Sequence, residues 1–284
     1  VTRVAPVHLE HFASVEAIAA AKAEVFSGLE GGVAILNRDD ATYEQLAEAA
    51  AATAGHVFSF GESNLAEARL ISYRTVDAFG EVEAEILGKR LSYRIGAPGK
   101  HIALNSLAAL LIAVTFDLDL EAAAATLVEF LPPSGRGQRE TLQTPQGPFT
   151  LIDESYNANP TSMRAAFELL GAATPGPGAR RIVVLGDMLE LGPRGGELHA
   201  ELAPDLVRAK VDALFTAGPL MAHLYYAAPE RMRGAHRRTA TELEEAVLRF
   251  VRAGDVVTIK GSNGSRMSRI VAALRQKYAP QQAK

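Results

Sequence analysis

The second half of the chain alternates. Four apolar runs, "FTLIDES", "RRIVVLGDM", "VDALFTAG" and "DVVTIKGS", are separated by stretches of helical character that begin near Pro160, Gly196, Pro219, Thr241 and Ser265. Short apolar runs suit strands buried on both faces, and strands that alternate with helices demand a mostly parallel sheet covered on both sides. Few architectures satisfy that pattern. It predicts an open, doubly wound α/β domain whose ligands bind beyond the carboxyl ends of the strands. Polar residues stand at three of those ends: Asp153, the Gly186-Asp187 pair, and Lys260 with Ser262 and Asn263. Loops are polar for other reasons too, so each residue alone reads equally as a ligand contact or as ordinary loop chemistry.

The first half is less regular. "GGVAILN" reads as a buried strand, "TYEQLAEAAAAT" as a helix and "HVFSF" as a second strand. "ARLISYRTV", "EVEAEIL" and "RLSYRIG" then alternate in polarity between short turns, which predicts a small antiparallel patch. Two helices follow, "NSLAALLIAVTF" and "LEAAAATLVEFL", and "PPSG" at 132–135 stops the second. The boundary is therefore placed between residues 1–132 and 133–284. The opening "VTRVAPVHL" has no initiator Met and reads as the tail of a strand running into a loop, so the chain is expected to begin inside a domain.

Composition excludes several classes of function. A net charge of -4 and a pI near 6.0 lack the basic face that nucleic acid or an anionic membrane selects. With no Cys there is no disulfide framework, thiolate metal site or cysteine nucleophile. The longest apolar runs are too short to span a bilayer, and no signal segment opens the chain. The expectation is a cytoplasmic protein without membrane insertion.

One stretch concentrates unusual residues: "SYNANPTSM", residues 155–163. Asn159 and Pro160 are explained as the N-cap and first-turn proline of the next helix. Asp153, Tyr156 and Asn157 are not required by that turn, and together they could meet a ribose, an aromatic base and a phosphate.

Here a resemblance adds to the residue reading. "LIDESYNANPTSMRAAFELL", "VVLGDMLELG" with "LH" at 198–199, and "IKGSNGSRM" resemble, in order and spacing, the carboxyl-terminal domain of the Mur ligase family of bacterial peptidoglycan synthesis. "VAPVHLEHFASVEAIAAAKAEVF", "AILNRDD" and "GKHIALNSLAALLIAV" resemble the second half of that family's central ATPase domain. "SYNANP" followed by "LGDMLELG" is similar in particular to the members that add D-Ala-D-Ala. The resemblance implies an α/β central ATPase part followed by a Rossmann-like domain. It also implies ATP-dependent amide synthesis, in which the carboxylate of UDP-N-acetylmuramoyl-tripeptide is phosphorylated and the amine of D-Ala-D-Ala attacks the acyl phosphate. ATP and Mg²⁺ are the implied cofactors, and a monomer is implied for the full-length enzyme.

By the same resemblance His8 and a carbamylated Lys22 are Mg²⁺ ligands, whereas unaided sequence reads a loop histidine and a solvated helix lysine. His101 and Asn105, at i and i+4 of one helix start, lie near adenine in the family; helix capping is the plain alternative. Arg136 would reach nucleotide phosphates from the linker, and Asp153, Tyr156 and Asn157 would line the ribose. Asp187, Lys260, Ser262 and Asn263 would dock the dipeptide, with Lys260 meeting its carboxylate. His199 reads either as functional or as helix-lining. The sequence departs from the family in one respect: no G-x-x-x-x-G-K-[ST] occurs in these 284 residues, so the chain alone is expected to be inactive. Another ligase of the superfamily, whether a different Mur enzyme or one of folylpolyglutamate type, and a non-catalytic nucleotide-binding module are the alternatives.

Overall fold

The computed structural model describes residues 1–5, 12, 14–76 and 79–278. The chain divides into two compact units, Val1–Leu131 and Pro132–Lys284.

The first unit contains α1 (Val15–Ala23), β1 (Val33–Asn37), α2 (Tyr43–Ala51), β2 (His56–Gly61), β3 (Ala68–Val76), β4 (Phe79–Ile86), β5 (Lys89–Ile95), α3 (Lys100–Thr115) and α4 (Leu120–Thr126). The antiparallel patch is not separate. Strands β1 to β5 form one sheet in chain order, parallel from β1 to β3 and antiparallel from β3 to β5. Two cores result. Apolar residues of β3 to β5 pack under α3 with Phe60, Leu107 and Leu111, and Ala34 and Leu36 of β1 pack with Ile18, Phe26 and Leu46. Helix α3 starts at Lys100, five residues before the apolar periodicity becomes visible, because Gly99 at φ 142 turns the chain directly into it. Residues 1–5 form no strand. They lie against β1 instead, where the Val1 amino group donates to the Ile35 carbonyl (2.8 Å) and Asn37 Nδ2 to the Thr2 carbonyl (3.0 Å).

The second unit contains β6 (Gln138–Thr144), β7 (Gly147–Glu154), α5 (Pro160–Ala172), β8 (Arg181–Gly186), α6 (Gly195–Ala200), α7 (Ala203–Arg208), β9 (Ala213–Ala217), α8 (Met221–Ala227), β10 (Arg233–Arg237), α9 (Ala240–Phe250), β11 (Val256–Lys260) and α10 (Ser268–Lys277). The sheet order is β10-β9-β8-β11-β7-β6, parallel except for β6. Alternation along each strand sorts its side chains between two cores. Ile182, Val184, Phe215 and Ile259 face α9 and α10, whereas Val183, Leu185, Leu214 and Val256 face α5, α7 and α8. The connections after β8 therefore leave on one face and α10 leaves β11 on the other. Adjacent parallel strands whose helices diverge open a crevice at their carboxyl ends, and here it lies between β8 and β11.

Two strands escape the sequence pattern. β6 and β10 are edge strands, so one side of each ladder and much of their surface meet solvent, and polar runs such as "QRETLQT" and "RGAHR" are tolerated there.

Candidate active site

The crevice is built by loops that cross over the ends of β7, β8 and β11. Lys260, Glu154 and Leu185 share one register, so these ends stand side by side. Gly186 and Gly261 let the loop after β11 fold back: a Cβ on Gly261 would lie 2.4 Å from Ser265 Oγ and 3.1 Å from the Gly186 Cα, and neither can be met by a larger residue.

Most of the polar residues expected to touch ligand here hold the loops together. Asp153 is 2% exposed. Its Oδ1 accepts from the Ser155 N–H (3.1 Å) and Oγ (2.6 Å), and its Oδ2 accepts from Arg275 Nη2 (3.2 Å). The turn does require Asp153, contrary to the reading of the sequence. Arg275 in turn forks onto Glu140 of β6, with Nε 3.0 Å from each carboxylate oxygen, so α10 is tied to the sheet edge. That pairing, with Asp153 behind it, holds the guanidinium above its ordinary pKa.

Lys260 is likewise buried, and its ammonium donates to Glu154 Oε2 (3.2 Å) and to the Asn157 carbonyl (3.0 Å). Two of the three N–H groups of this ammonium are therefore committed to the framework, and a substrate carboxylate would have only the third to meet. Ser262 Oγ accepts from the Leu189 N–H (3.0 Å) and donates to the Ala158 carbonyl (3.3 Å), which joins the loops after β7, β8 and β11. Asp187 accepts from the N–H groups of Met221 (2.7 Å) and Leu220 (3.3 Å) and caps α8.

His199 is fully buried. Its Nε2 accepts the Met188 N–H (2.9 Å), so the ring proton sits on Nδ1 and is donated to the Gly195 carbonyl (2.6 Å). Burial holds its pKa below the usual histidine value, against the opposing pull of that carbonyl and of Asp187. A neutral imidazole thus fixes the backbone immediately after Asp187.

The exposed residues form a second group after β7. Arg136 lies over the Tyr156 ring, 4.0 Å from its centroid, and Tyr156 is 49% exposed. Gly135, at φ 76, brings the linker against Tyr156, whose N–H donates to the Gly135 carbonyl (3.1 Å). Asn157 is exposed beside them, while Asn159 and Ser162 close a capping box on α5. Asn263 is exposed after β11. In the first unit His101 and Asn105 lie on the exposed face of α3, and Lys22 is exposed in the last turn of α1, whose N-cap is Ser14. His8 lies outside the described residues. Among the described residues no three His, Asp or Glu side chains cluster to hold a metal ion.

Sequence reasoning missed Glu154, Arg275 and two arginines that line a cavity beyond β8 to β11, Arg238 and Arg266. Arg266 stands inside "IKGSNGSRM" and was legible as a motif member. Arg238 follows β10, a strand without an apolar run, and had no such signal.

A doubly wound domain with an anchored switch point, preceded by a mixed parallel and antiparallel sheet, has the architecture of a nucleotide-using α/β protein. The chain belongs to the Mur ligase family: residues 1–113 match the Mur ligase middle domain and residues 135–263 the Mur ligase, glutamate ligase domain. It is 29% identical over 95% of its length to the UDP-N-acetylmuramoyl-tripeptide--D-alanyl-D-alanine ligase of Rickettsia prowazekii and 32% identical over 96% to that of Bacillus subtilis. It spans 59% and 58% of those two proteins. Its fold matches MurF from Acinetobacter baumannii with a TM-score of 0.81 at 25% identity, covering 97% of this chain and 58% of that one. It also matches the MurF ligase of Thermotoga maritima, solved in complex with ADP, with a TM-score of 0.79 at 20% identity, covering 96% and 60%. Among the described residues no helix is long and apolar enough to cross a membrane.

Proposed function

We propose that the protein acts as the carboxyl-terminal part of an ATP-dependent amide ligase that joins D-Ala-D-Ala to UDP-N-acetylmuramoyl-tripeptide in the cytoplasm. The observation that carries this reading is the ordered match of both domains along nearly the whole chain to ligases of that name. The γ-phosphoryl group passes from ATP to the tripeptide carboxylate and ADP leaves. The dipeptide amine then attacks the acyl carbon, the C–N bond forms, phosphate departs and the amine loses a proton. Catalysis of this kind rests on positioning and on cations that balance developing charge.

Each residue has a part in that scheme. Arg136 and Tyr156 offer a nucleotide a cation and an aromatic face, and Asn157 adds a donor and an acceptor. His101 and Asn105 offer polar edges for adenine from α3. Asp153 aims Tyr156 by fixing the turn; direct contact with ribose would require it to release Ser155 or Arg275. Asp187, Ser262 and Lys260 hold the crevice in shape, and Asn263 faces the substrate side. Mg²⁺ would screen the phosphates. The described residues do not themselves assemble a site for it, and the ligands proposed are His8 and a carbamate on Lys22.

The test is genetic. The reading frame, expressed with any coding sequence that precedes residue 1, should restore growth to a bacterium depleted of its own D-Ala-D-Ala-adding ligase and return the UDP-muramoyl-pentapeptide pool. Growth without pentapeptide, or pentapeptide formed with amines other than the dipeptide, would give the chain to another branch of the superfamily.

A further inference from the structure

None of the residues placed near nucleotide lies on the antiparallel strands β3 to β5. Two tyrosines of these strands nevertheless end on α3, the helix that carries His101 and Asn105, or on its N-cap. Tyr73 of β3 packs against the core under α3, and its hydroxyl accepts the Gly99 N–H while sharing a further hydrogen bond with Thr75 Oγ1 (2.9 Å). Gly80 of β4 leaves room for this ring. A Cβ there would lie 3.0 Å from Tyr73 Cε2 and 3.3 Å from the Ala97 carbonyl oxygen.

Gly99 is the N-cap of α3 and has no side chain with which to cap it. Its carbonyl accepts from the N–H groups of Ile102 (2.9 Å) and Ala103 (3.1 Å), so the first turn hangs on this residue. The His101 ring folds back over it: a Cβ on Gly99 would lie 2.9 Å from Cε1 and 3.2 Å from Nδ1. A second tie at this end, Lys100 with Glu62 (2.8 Å), joins side chains that are 54% and 51% exposed, and such pairs hold little. The body of the helix is held separately. Ser106 Oγ donates to the Ala103 carbonyl (2.7 Å) and so accepts from the buried Tyr93 hydroxyl of β5 (2.7 Å), while Leu107 and Leu111 fill the core. Loss of the Tyr73 hydroxyl therefore frees the first turn and leaves the helix in place.

We infer that Tyr73 is a positioning residue for the edge of α3 that reads adenine: through the Gly99 N–H it fixes the first turn, and with it the His101 ring. Asn105 lies one turn on, on the same face. This role rests on the ligase reading, which puts adenine at His101 and Asn105, and adds to it a residue that touches no ligand. A polar edge discriminates between bases when it is already held in place; one that must be ordered on binding loses part of what its hydrogen bonds supply.

The experiment compares two probes on the 284-residue chain by NMR titration: ADP, and the 5′-diphosphate of purine riboside, which lacks only the 6-amino group of adenine. Wild type should bind ADP about tenfold more tightly, because the second probe leaves a polar group of the site unpaired. Tyr73→Phe keeps the ring and removes the hydroxyl. It should weaken ADP by about three- to tenfold and leave the second probe near its wild-type affinity, so the preference narrows. Without nucleotide, the variant should lose hydrogen-exchange protection at the Gly99 amide and shift the His101 Cε1–H resonance, with Leu107 and Leu111 still protected. Gly80→Ala crowds the Tyr73 ring and keeps its hydroxyl, and should narrow the preference in the same direction. Equal weakening of both probes, as a general loss of fold would give, overturns the inference, and so does an unchanged preference or full protection of Gly99 in Tyr73→Phe. A wild type that binds the two probes alike, or neither, also overturns it, since no amino group is then read from α3. Failure of the ligase reading itself would be seen separately, in the growth and pentapeptide assay.

Discussion

Replacing His199 with Phe keeps the volume of the ring and removes both of its hydrogen bonds. The Met188 N–H, paired at 2.9 Å with Nε2 in a fully buried site, would lose its acceptor. An orphaned buried donor costs about 1–3 kcal/mol, and loss of the Nδ1–H bond to Gly195 adds about 0.5–1.5 kcal/mol. The expected destabilisation is therefore roughly 1.5–4.5 kcal/mol. It should be read by urea unfolding of the second unit, followed by fluorescence of its tyrosines and by amide exchange of Met188. Its dependence on pH is the sharper test. Burial lowers the folded-state pKa of His199, so just below the unfolded value of about 6.5 the unfolded chain binds more protons than the folded one. Wild-type stability is complete above that value and declines as pH falls toward the folded pKa, by at most about 1.4 kcal/mol per pH unit for this group. The Phe variant lacks the decline, so the gap between the two proteins should narrow from pH 8 to pH 5. His236, also lowered by burial, contributes equally to both. A gap that stays constant across that range, or a variant as stable as wild type at pH 8, would refute the assignment of a neutral, bonded imidazole.

Lys260→Met should destabilise the second unit by about 2–4 kcal/mol because it leaves the partly buried Glu154 without its cation, and adding Glu154→Gln should recover most of the loss in the same urea titration. Tyr156→Ala should weaken ADP by about 1–3 kcal/mol, the scale of base–aromatic stacking, with the unfolding midpoint unchanged because the ring is half exposed; calorimetry decides, and unchanged affinity moves the base elsewhere. Lys22→Ala should abolish ligase activity in the complete enzyme while leaving stability alone, and added acetate or formate should return part of the activity; full activity without rescue would remove the carbamate from the scheme.

What the sequence makes legible follows from burial. β7, β8, β9 and β11 are covered on both faces, so their apolar runs announce them, and their shared direction alone brings Asp153, Asp187 and Lys260 to one edge. β6 and β10 have solvent on one side, and polarity hides them. The site divides along the same line. Residue types at strand ends could be read, but their long-range engagement could not, because Arg275 lies 122 residues from Asp153 and Glu154 lies 106 residues from Lys260 in the chain. A buried lysine beside a glutamate and a substrate-facing lysine are written with the same letter. Exposure separates them, and it follows from packing that no local pattern encodes.

The position of β11 also bears on how the second unit comes to be made. This strand lies between β8 and β7, yet it is the last strand to leave the ribosome. Until it arrives, the β6–β7 hairpin and the β8–β9–β10 ribbon share no ladder, and each presents an open edge at what becomes the middle of the sheet. Roughly 100 residues separate the end of β7 from the start of β11, about 5–20 s of synthesis at common bacterial rates. During that interval two apolar half-sheets are exposed, which makes nascent chains of this domain clients for chaperones and makes any stop before Val256 a source of aggregating product.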